Sequence, residues 1–396
     1  MAKRILFINT VVTGSHGRIV SDLAEAARNA GNVEFETEFA YGRGDDSPER
    51  IGGPLDGAAH LLSTRLFDAH GFGSVRATKA LVKRLKAHPP DLVHLHNVHG
   101  YYLNIEILFE YLKASGIPVV WTLHDCWAFT GHCSHFVRAK CFKWQKGCEH
   151  CPMKREYPTS LLLDNSKSNY NRKKAAFTGH PNLSIVTPSE WLAKLVNQSF
   201  LKDYPVSTIP NGVDLTVFAP TDMPQAKRPL ILAVAAPFDK RKGFEDTLKI
   251  AQSIPEADMI MVGLTPKQIA SLPKGSAITG LTRTENRDEL VSLYRRASVL
   301  LNTTYEDTYP TVNMEAMACG LPVACYSVGG CPEQITYQTG ALTPVGDVSA
   351  LINAARRIIA QPRDEFKAAC RARAEAAFDR KAAMRRYISL YKSILE

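Results

Sequence analysis

The sequence predicts an α/β fold of two parallel-sheet domains, each with its own hydrophobic core. A chain of 396 residues is longer than a single core usually organises. Short apolar runs alternate with helical patterns, the rhythm that produces a parallel sheet covered by helices. That rhythm stops at a stretch marked by proline and Asn-Gly, then restarts.

Taken in order, the apolar residues 5–8 lead into the loop Thr13-Gly-Ser-His-Gly17 and a helical pattern over 19–30, a strand–loop–helix unit. Asp91-Leu-Val-His-Leu-His96, a helical stretch over 105–115 closed by Gly116, and Pro118-Val-Val-Trp-Thr-Leu-His124 repeat the unit. Ser184-Ile-Val-Thr-Pro188 then precedes a helix capped by Ser189. In the second half the strands are Pro229-Leu-Ile-Leu-Ala-Val234, Met259-Ile-Met-Val262, Ser298-Val-Leu-Leu301 and Leu321-Pro-Val-Ala-Cys325. The boundary is expected near Thr208-Ile-Pro-Asn-Gly-Val-Asp214, giving a first domain over 1–207 and a second over 208–375. Residues 376–396, with Tyr387, Leu390 and Tyr391 at helical spacing, predict a C-terminal helix that packs back across the domains.

Composition narrows the partners. Lysine and arginine total 48 against 39 aspartates and glutamates, a formal net charge of +9 that suits anionic ligands. No zinc-finger helix, recognition helix or RNP-type aromatic pattern accompanies the charge, so nucleic acid is not an expected partner. No apolar run approaches the ~20 residues of a membrane-spanning helix. The apolar stretch at the N-terminus is too short for a signal segment, which predicts a cytoplasmic protein with reduced thiols. The basic, amphipathic pattern over 76–86 suits peripheral contact with the inner face of an anionic membrane, an ordinary surface helix being the alternative.

The most informative segment is Asn302-Thr-Thr-Tyr-Glu-Asp-Thr-Tyr-Pro-Thr-Val-Asn-Met-Glu-Ala-Met-Ala-Cys-Gly-Leu-Pro322, which follows a strand and opens a short helix. Thr308, Tyr309, Thr311 and Val312 are expected to present backbone N–H groups to a diphosphate at the helix start. Asp307 and Glu315 flank that point, placed to receive the hydroxyls of a sugar or ribose; helix capping is the alternative for Asp307. The segment resembles the acidic pair, with seven residues between, of the retaining glycosyltransferases of family 4. The resemblance spans nearly the whole chain and implies the GT-B fold, two Rossmann-like domains facing across a cleft. It assigns the donor sugar to Asp307, where the family usually has glutamate, with Glu306 as the alternative, and the ribose to Glu315.

By the same resemblance Lys242 matches the family's phosphate-binding lysine. Pro237 replaces the usual arginine, with Arg241 or Lys240 as substitutes. Gly14 matches the family's first glycine loop, and His124, with Asp125 beside it, the histidine that meets the donor sugar or the incoming hydroxyl. The spacing at Gly14 does not meet the dinucleotide fingerprint, and a plain tight turn is its alternative. The activity implied is retaining transfer of a sugar from a nucleoside-diphosphate donor to a saccharide or lipid-linked acceptor. The Trp-Thr-Leu-His-Asp run with its cysteine loop suggests the bacterial enzymes of capsule, colanic-acid-type exopolysaccharide or lipopolysaccharide synthesis.

Two further expectations concern metals. Cys133, Cys141, Cys148 and Cys151, in a basic insertion at about 126–156, have spacing for a structural zinc, with His132, His135 and His150 as competing ligands. No catalytic metal is expected, because Lys242 and the helix-end amides supply the positive field at the diphosphate. Competing functions are a sugar-nucleotide epimerase, a non-catalytic nucleotide-sugar binder, and a metallohydrolase built on His94, His96, His99, His124 and Asp125.

Overall fold

The N-terminal half of the chain supplies strands β1 (Lys3–Val11), β2 (Phe35–Arg43), β3 (Leu92–Leu95), β4 (Val119–Thr122), β5 (Leu183–Thr187) and β6 (Val206–Thr208). The C-terminal half supplies β7 (Leu230–Val234), β8 (Asp258–Val262), β9 (Ile278–Leu281), β10 (Val299–Asn302), β11 (Val323–Tyr326) and β12 (Gly340–Thr343). The computed structural model describes residues 2–30, 35–44, 49–221, 228–362 and 364–396; part of the polar stretch after the expected boundary, 222–227, lies outside the described residues. Two six-stranded sheets result, in the orders β2-β1-β3-β4-β5-β6 and β12-β11-β10-β7-β8-β9. Every strand pairing is parallel, so both domains are Rossmann-like. The chain divides into two compact units, Met1–Ile209 with Met384–Glu396, and Pro210–Ala383.

The central strands are buried along their whole length, as helices on both faces of a parallel sheet require. Their caps follow local chemistry. Gly116 ends the helix Ile105–Ser115 at φ 65°. Ser189 opens the helix Glu190–Val196 by accepting the Leu192 N–H on its hydroxyl.

The expected C-terminal helix differs at its start. Helices Asp364–Ala377 and Arg380–Leu395 are separated at Phe378 and Asp379. The Phe378 carbonyl accepts Val213 N–H at 2.8 Å and Arg380 N–H donates to the Val213 carbonyl at 3.1 Å, a short parallel bridge that a continuous helix cannot make. Beyond this break the helix joins the first unit. Tyr391 is fully buried with its hydroxyl 2.6 Å from His94 Nδ1 on β3, and Tyr387 OH lies 3.1 Å from Thr122 Oγ1 on β4.

The cysteine insertion is ordered by aromatic packing. Trp127, Phe129, Phe136 and Trp144 are all buried, and Trp144 meets Phe129 and Phe136 at ring-centroid distances of 5.0 and 5.1 Å. Lys173, buried in the helix Ser166–Phe177, donates to the carbonyls of Trp127 and Thr130 at 2.8 and 3.0 Å and ties the insertion to the domain. The basic helix Val75–Ala87 turns Ala77, Leu81 and Leu85 into the core, so its apolar stripe faces inward and its outer face is charged.

Replacing Tyr391 by Phe leaves the His94 imidazole without its hydroxyl partner inside the core. Tyr391→Phe should lower the unfolding free energy by about 1–3 kcal/mol, the cost of an unsatisfied buried polar group. A urea titration followed by tryptophan fluorescence measures it, and an unchanged midpoint would show that the bond carries no stability.

Candidate functional site

In the second sheet the strand order reverses between β7 and β10, and the carboxyl ends of the strands at such a reversal are the usual ligand position in open parallel sheets. Lys242 comes from the loop after β7 and Asp307 from the loop after β10. Their Nζ and Oδ2 atoms stand 2.5 Å apart, both side chains 17 % exposed. The two loops are laced together: Tyr305 N–H donates to the Arg241 carbonyl at 2.8 Å, Arg241 Nη1 donates to the Glu306 carbonyl at 3.1 Å, and Thr303 Oγ1 donates to the Lys242 carbonyl at 2.9 Å. Arg241 therefore holds the loop that carries Asp307. Glu306, the alternative acid, is buried, while Asp307 is the acid paired with Lys242.

The helix Thr311–Ala318 starts beside this pair, with Pro310 at its cap and no side-chain cap on its first N–H groups. Thr311 and Val312 are its first two residues, and Thr308 is buried in the preceding loop. Tyr309 departs from expectation. Its N–H donates to Asp307 Oδ1 at 3.2 Å, and its ring is buried against Phe378, so this amide orients the carboxylate. Glu315 lies on the second turn and accepts Tyr294 OH at 2.8 Å. Burial and the Glu315 carboxylate push the Tyr294 phenol well up, so it remains a donor.

Several contributors were not anticipated. Asn302 Nδ2 donates to Asn313 Oδ1, Asn313 Nδ2 to Gln334 Oε1, both at 2.9 Å, and Gln334 Nε2 to the Pro310 carbonyl at 3.1 Å, a buried amide chain that fixes the helix start. Gly329, at φ 56°, comes so close that a Cβ there would lie 1.7 Å from the Asp307 carbonyl oxygen, and Gly330 N–H donates to that oxygen at 3.3 Å. The Gly-Gly pair just after the strand at 321–325 was the signal available.

In the first unit Gly14 opens the helix Gly14–Arg28 at φ 76°. His124 follows β4 and is buried, its Nε2 3.0 Å from His96 Nδ1, with the two rings stacked at 5.3 Å. Asp125 accepts Trp127 N–H at 2.8 Å and lies 2.9 Å from His99 Nε2, while His99 Nδ1 is 3.1 Å from Tyr157 OH. Burial alone would raise the Asp125 carboxyl, but the His99 imidazole and the Trp127 amide outweigh it and hold it well below the usual range.

These contacts correct two metal expectations. His94, His96, His99, His124 and Asp125 are engaged with one another and with Tyr157, Thr122 and Tyr391, and do not converge as a ligand set. Cys133, Cys141, Cys148 and Cys151 line one small cavity, yet among the described residues no three His, Cys, Asp or Glu side chains are placed to hold a metal, and the zinc expectation is not supported. Among the described residues no cysteine forms a disulfide. A hydrogen bond with Cys133 lowers the Cys151 thiol to about 7 and holds Cys133 in the thiol form, while burial raises Cys148 to about 11.

Comparison with known proteins agrees with the geometry. A family model described as Glycosyltransferase Family 4 matches residues 16–217, and one described as glycosyl transferases group 1 matches residues 228–361. The chain is 23 % identical, over 96 % of its length and 97 % of the relative's, to WcaC of Escherichia coli (strain K12), described as a colanic acid biosynthesis glycosyl transferase. Among solved structures it resembles sucrose-phosphate synthase from Thermosynechococcus elongatus, with a TM-score of 0.73, 20 % identity and 99 % of each chain covered. It also resembles HepE of Anabaena in complex with UDP-glucose, with a TM-score of 0.66, 16 % identity, and 98 % of this chain and 99 % of that one covered.

The buried histidines predict an acid response. Burial lowers His94 to about 3 and His60 to about 4 from 6.5. The geometry agrees at His60, whose Nε2 accepts the Gly71 and Gly73 N–H groups at 3.1 and 3.3 Å and so must be unprotonated. Below pH 6.5 the unfolded chain takes up protons that the folded one refuses, so stability is lost as pH falls from about 6.5 towards 4. Urea midpoints should fall steadily between pH 7 and 5, by the equivalent of about 2–4 kcal/mol. A flat profile would mean that these imidazoles are charged in the fold.

Proposed function

The chain belongs to glycosyltransferase family 4, and from that membership we propose that it transfers a sugar, with retention of anomeric configuration, from a nucleoside-diphosphate donor to a saccharide or lipid-linked acceptor in polysaccharide biosynthesis. The fold is of the GT-B type. The observation that carries the donor reading is the meeting of Lys242 and Asp307 at the point where the second sheet's strand order reverses, beside the start of a helix with no side-chain cap. The solved HepE complex with UDP-glucose and the colanic-acid role given to WcaC support a nucleotide-sugar donor and a polysaccharide product.

Each residue then has a role its surroundings suit. The Lys242 ammonium and the amides of Thr311 and Val312 meet the diphosphate and neutralise the charge that grows on it as the sugar leaves, an electrostatic contribution that is fixed before reaction. The Asp307 carboxylate positions Lys242 and takes a hydroxyl of the donor sugar. Glu315, oriented by Tyr294, accepts the ribose hydroxyls. In the first unit the His96–His124 pair presents an imidazole to the reacting hydroxyl, with Asp125 fixed beside it by His99. Thr308, Tyr309 and Arg241 shape the loop.

Two measurements test this reading. Calorimetry with the diphosphates of uridine, guanosine, adenosine and thymidine and their sugars should find tight binding for one base. Glu315→Ala should weaken that binding by about 10-fold or more, the value of a hydrogen bond to a charged group; no binding by any nucleotide would remove the donor site. With Lys242 and helix amides as the diphosphate's counter-charge, transfer should survive an excess of chelator, and complete loss of activity there would show that a divalent ion completes the site. Donor turnover without any acceptor would indicate an epimerase in place of a transferase.

A further inference from the structure

The helix Pro54–Phe67 is turned inside out relative to an ordinary surface helix. Its buried residues are His60 and Thr64, while Leu55, Leu61, Leu62 and Phe67 stand 85, 37, 59 and 52 % exposed. The inward polar side is satisfied: His60 takes two backbone N–H groups and Thr64 Oγ1 donates to the His60 carbonyl at 2.9 Å. A second apolar run, Leu161, Leu162 and Leu163, lies alongside, pinned by Leu161 N–H to the Arg65 carbonyl at 2.7 Å and Leu163 N–H to the Leu66 carbonyl at 3.2 Å. Exposed apolar side chains on neighbouring segments in this number mark an interaction site.

The same helix forms one wall of a pocket of about 430 Å³. Arg43, Arg50 and Arg65 line it together with Tyr101, and among its described lining residues there is no acidic side chain. Arg65 Nη1 donates to the Thr159 carbonyl and Arg43 Nη2 to the Gly100 carbonyl, each at 3.3 Å, which anchors one edge of each guanidinium. Tyr101 is held at φ 71°, a conformation a non-glycine residue rarely takes. Arg43 lies 5.7 Å from the centroid of the Tyr101 ring, and burial raises the Tyr101 phenol while the charges of Arg65 and Arg43 oppose that rise. Tyr101 neighbours Tyr157, which bonds His99 and through it Asp125, next to His124.

We propose that this pocket seats the phosphate or diphosphate of a lipid-linked acceptor, whose hydrocarbon lies on the exposed leucines of Pro54–Phe67 and of residues 161–163. The assignment rests on the transferase reading above and names the acceptor's chemistry. Guanidinium groups recognise phosphate oxygens by paired N–H donors. Charge complementarity and the adjoining apolar face select an amphiphile with an anionic head: a free sugar has no use for the leucines, and an uncharged hydrocarbon none for the arginines.

The test is calorimetry on the full chain with three probes: farnesyl diphosphate, inorganic diphosphate and farnesol, with UDP titrated in parallel. Farnesyl diphosphate should bind at least 10-fold more tightly than either other probe. Arg43→Ala and Arg65→Ala should each weaken it about 10-fold or more, with partial recovery in Arg65→Lys. The pair Leu62→Ser and Leu162→Ser should weaken farnesyl diphosphate and leave inorganic diphosphate unchanged. UDP affinity should hold in every variant, which shows the chain folded and keeps the donor reading apart. The proposal is overturned if the arginine variants bind farnesyl diphosphate like the wild type, if farnesol binds as tightly, or if the hydrocarbon adds nothing to inorganic diphosphate.

Discussion

The pairing of β7 with β10 is the constraint on which the donor-side chemistry depends. Both strands are parallel and central, so their loops leave the sheet at the same end and side by side, at the point where the strand order reverses. Lys242 and Asp307 are 65 residues apart in the chain and meet only because this register holds. Once they meet, the lysine limits where the carboxylate can point, and Tyr309 N–H fixes its other oxygen. Gly329 is required by the same crowding, since the loop after β11 passes against the Asp307 backbone with no room for a side chain.

How much of this was legible in the sequence follows from burial. The strands read directly were β1, β3, β4, β5, β7, β8, β10 and β11, each inside its sheet with two strand neighbours. The four that were missed, β2, β6, β9 and β12, are the four sheet edges. An interior parallel strand is covered on both faces and shows as an apolar run, whereas an edge strand such as Val206–Thr208 or Ile278–Leu281 is half exposed and short. The break at Phe378 was invisible for a different reason. Local sequence there favours helix, and the bridge to Val213 that interrupts it is a contact across more than 160 residues.

The cysteine insertion shows the limit of spacing as evidence. Four cysteines within about twenty residues suit zinc by interval alone. What orders the segment is burial of Trp127, Phe129, Phe136 and Trp144, with Lys173 holding two of its carbonyls. Those aromatic residues are as plain in the sequence as the cysteines, and a loop carrying four of them within 18 positions can build a small core without metal. The inverted helix Pro54–Phe67 makes the complementary point. Its leucines are exposed, and the buried positions are taken by a histidine and a threonine that are both hydrogen-bonded.

The acidic helix itself was found by its motif, but its setting was not, and the setting decides what Glu315 can do. Thr311–Ala318 is little more than two turns, too short to persist by propensity. It also has no polar face to orient it, since most of it is buried. Its direction is set by the amide chain from Asn302 through Asn313 and Gln334 to Pro310, and the Glu315 carboxylate by Tyr294. Each link joins different elements, so no local window contains it. A buried amide chain tolerates little misalignment, because any broken link strands a polar group away from water. The carboxylate is therefore held to one orientation by the fold itself, the preorganisation that a polar binding group needs.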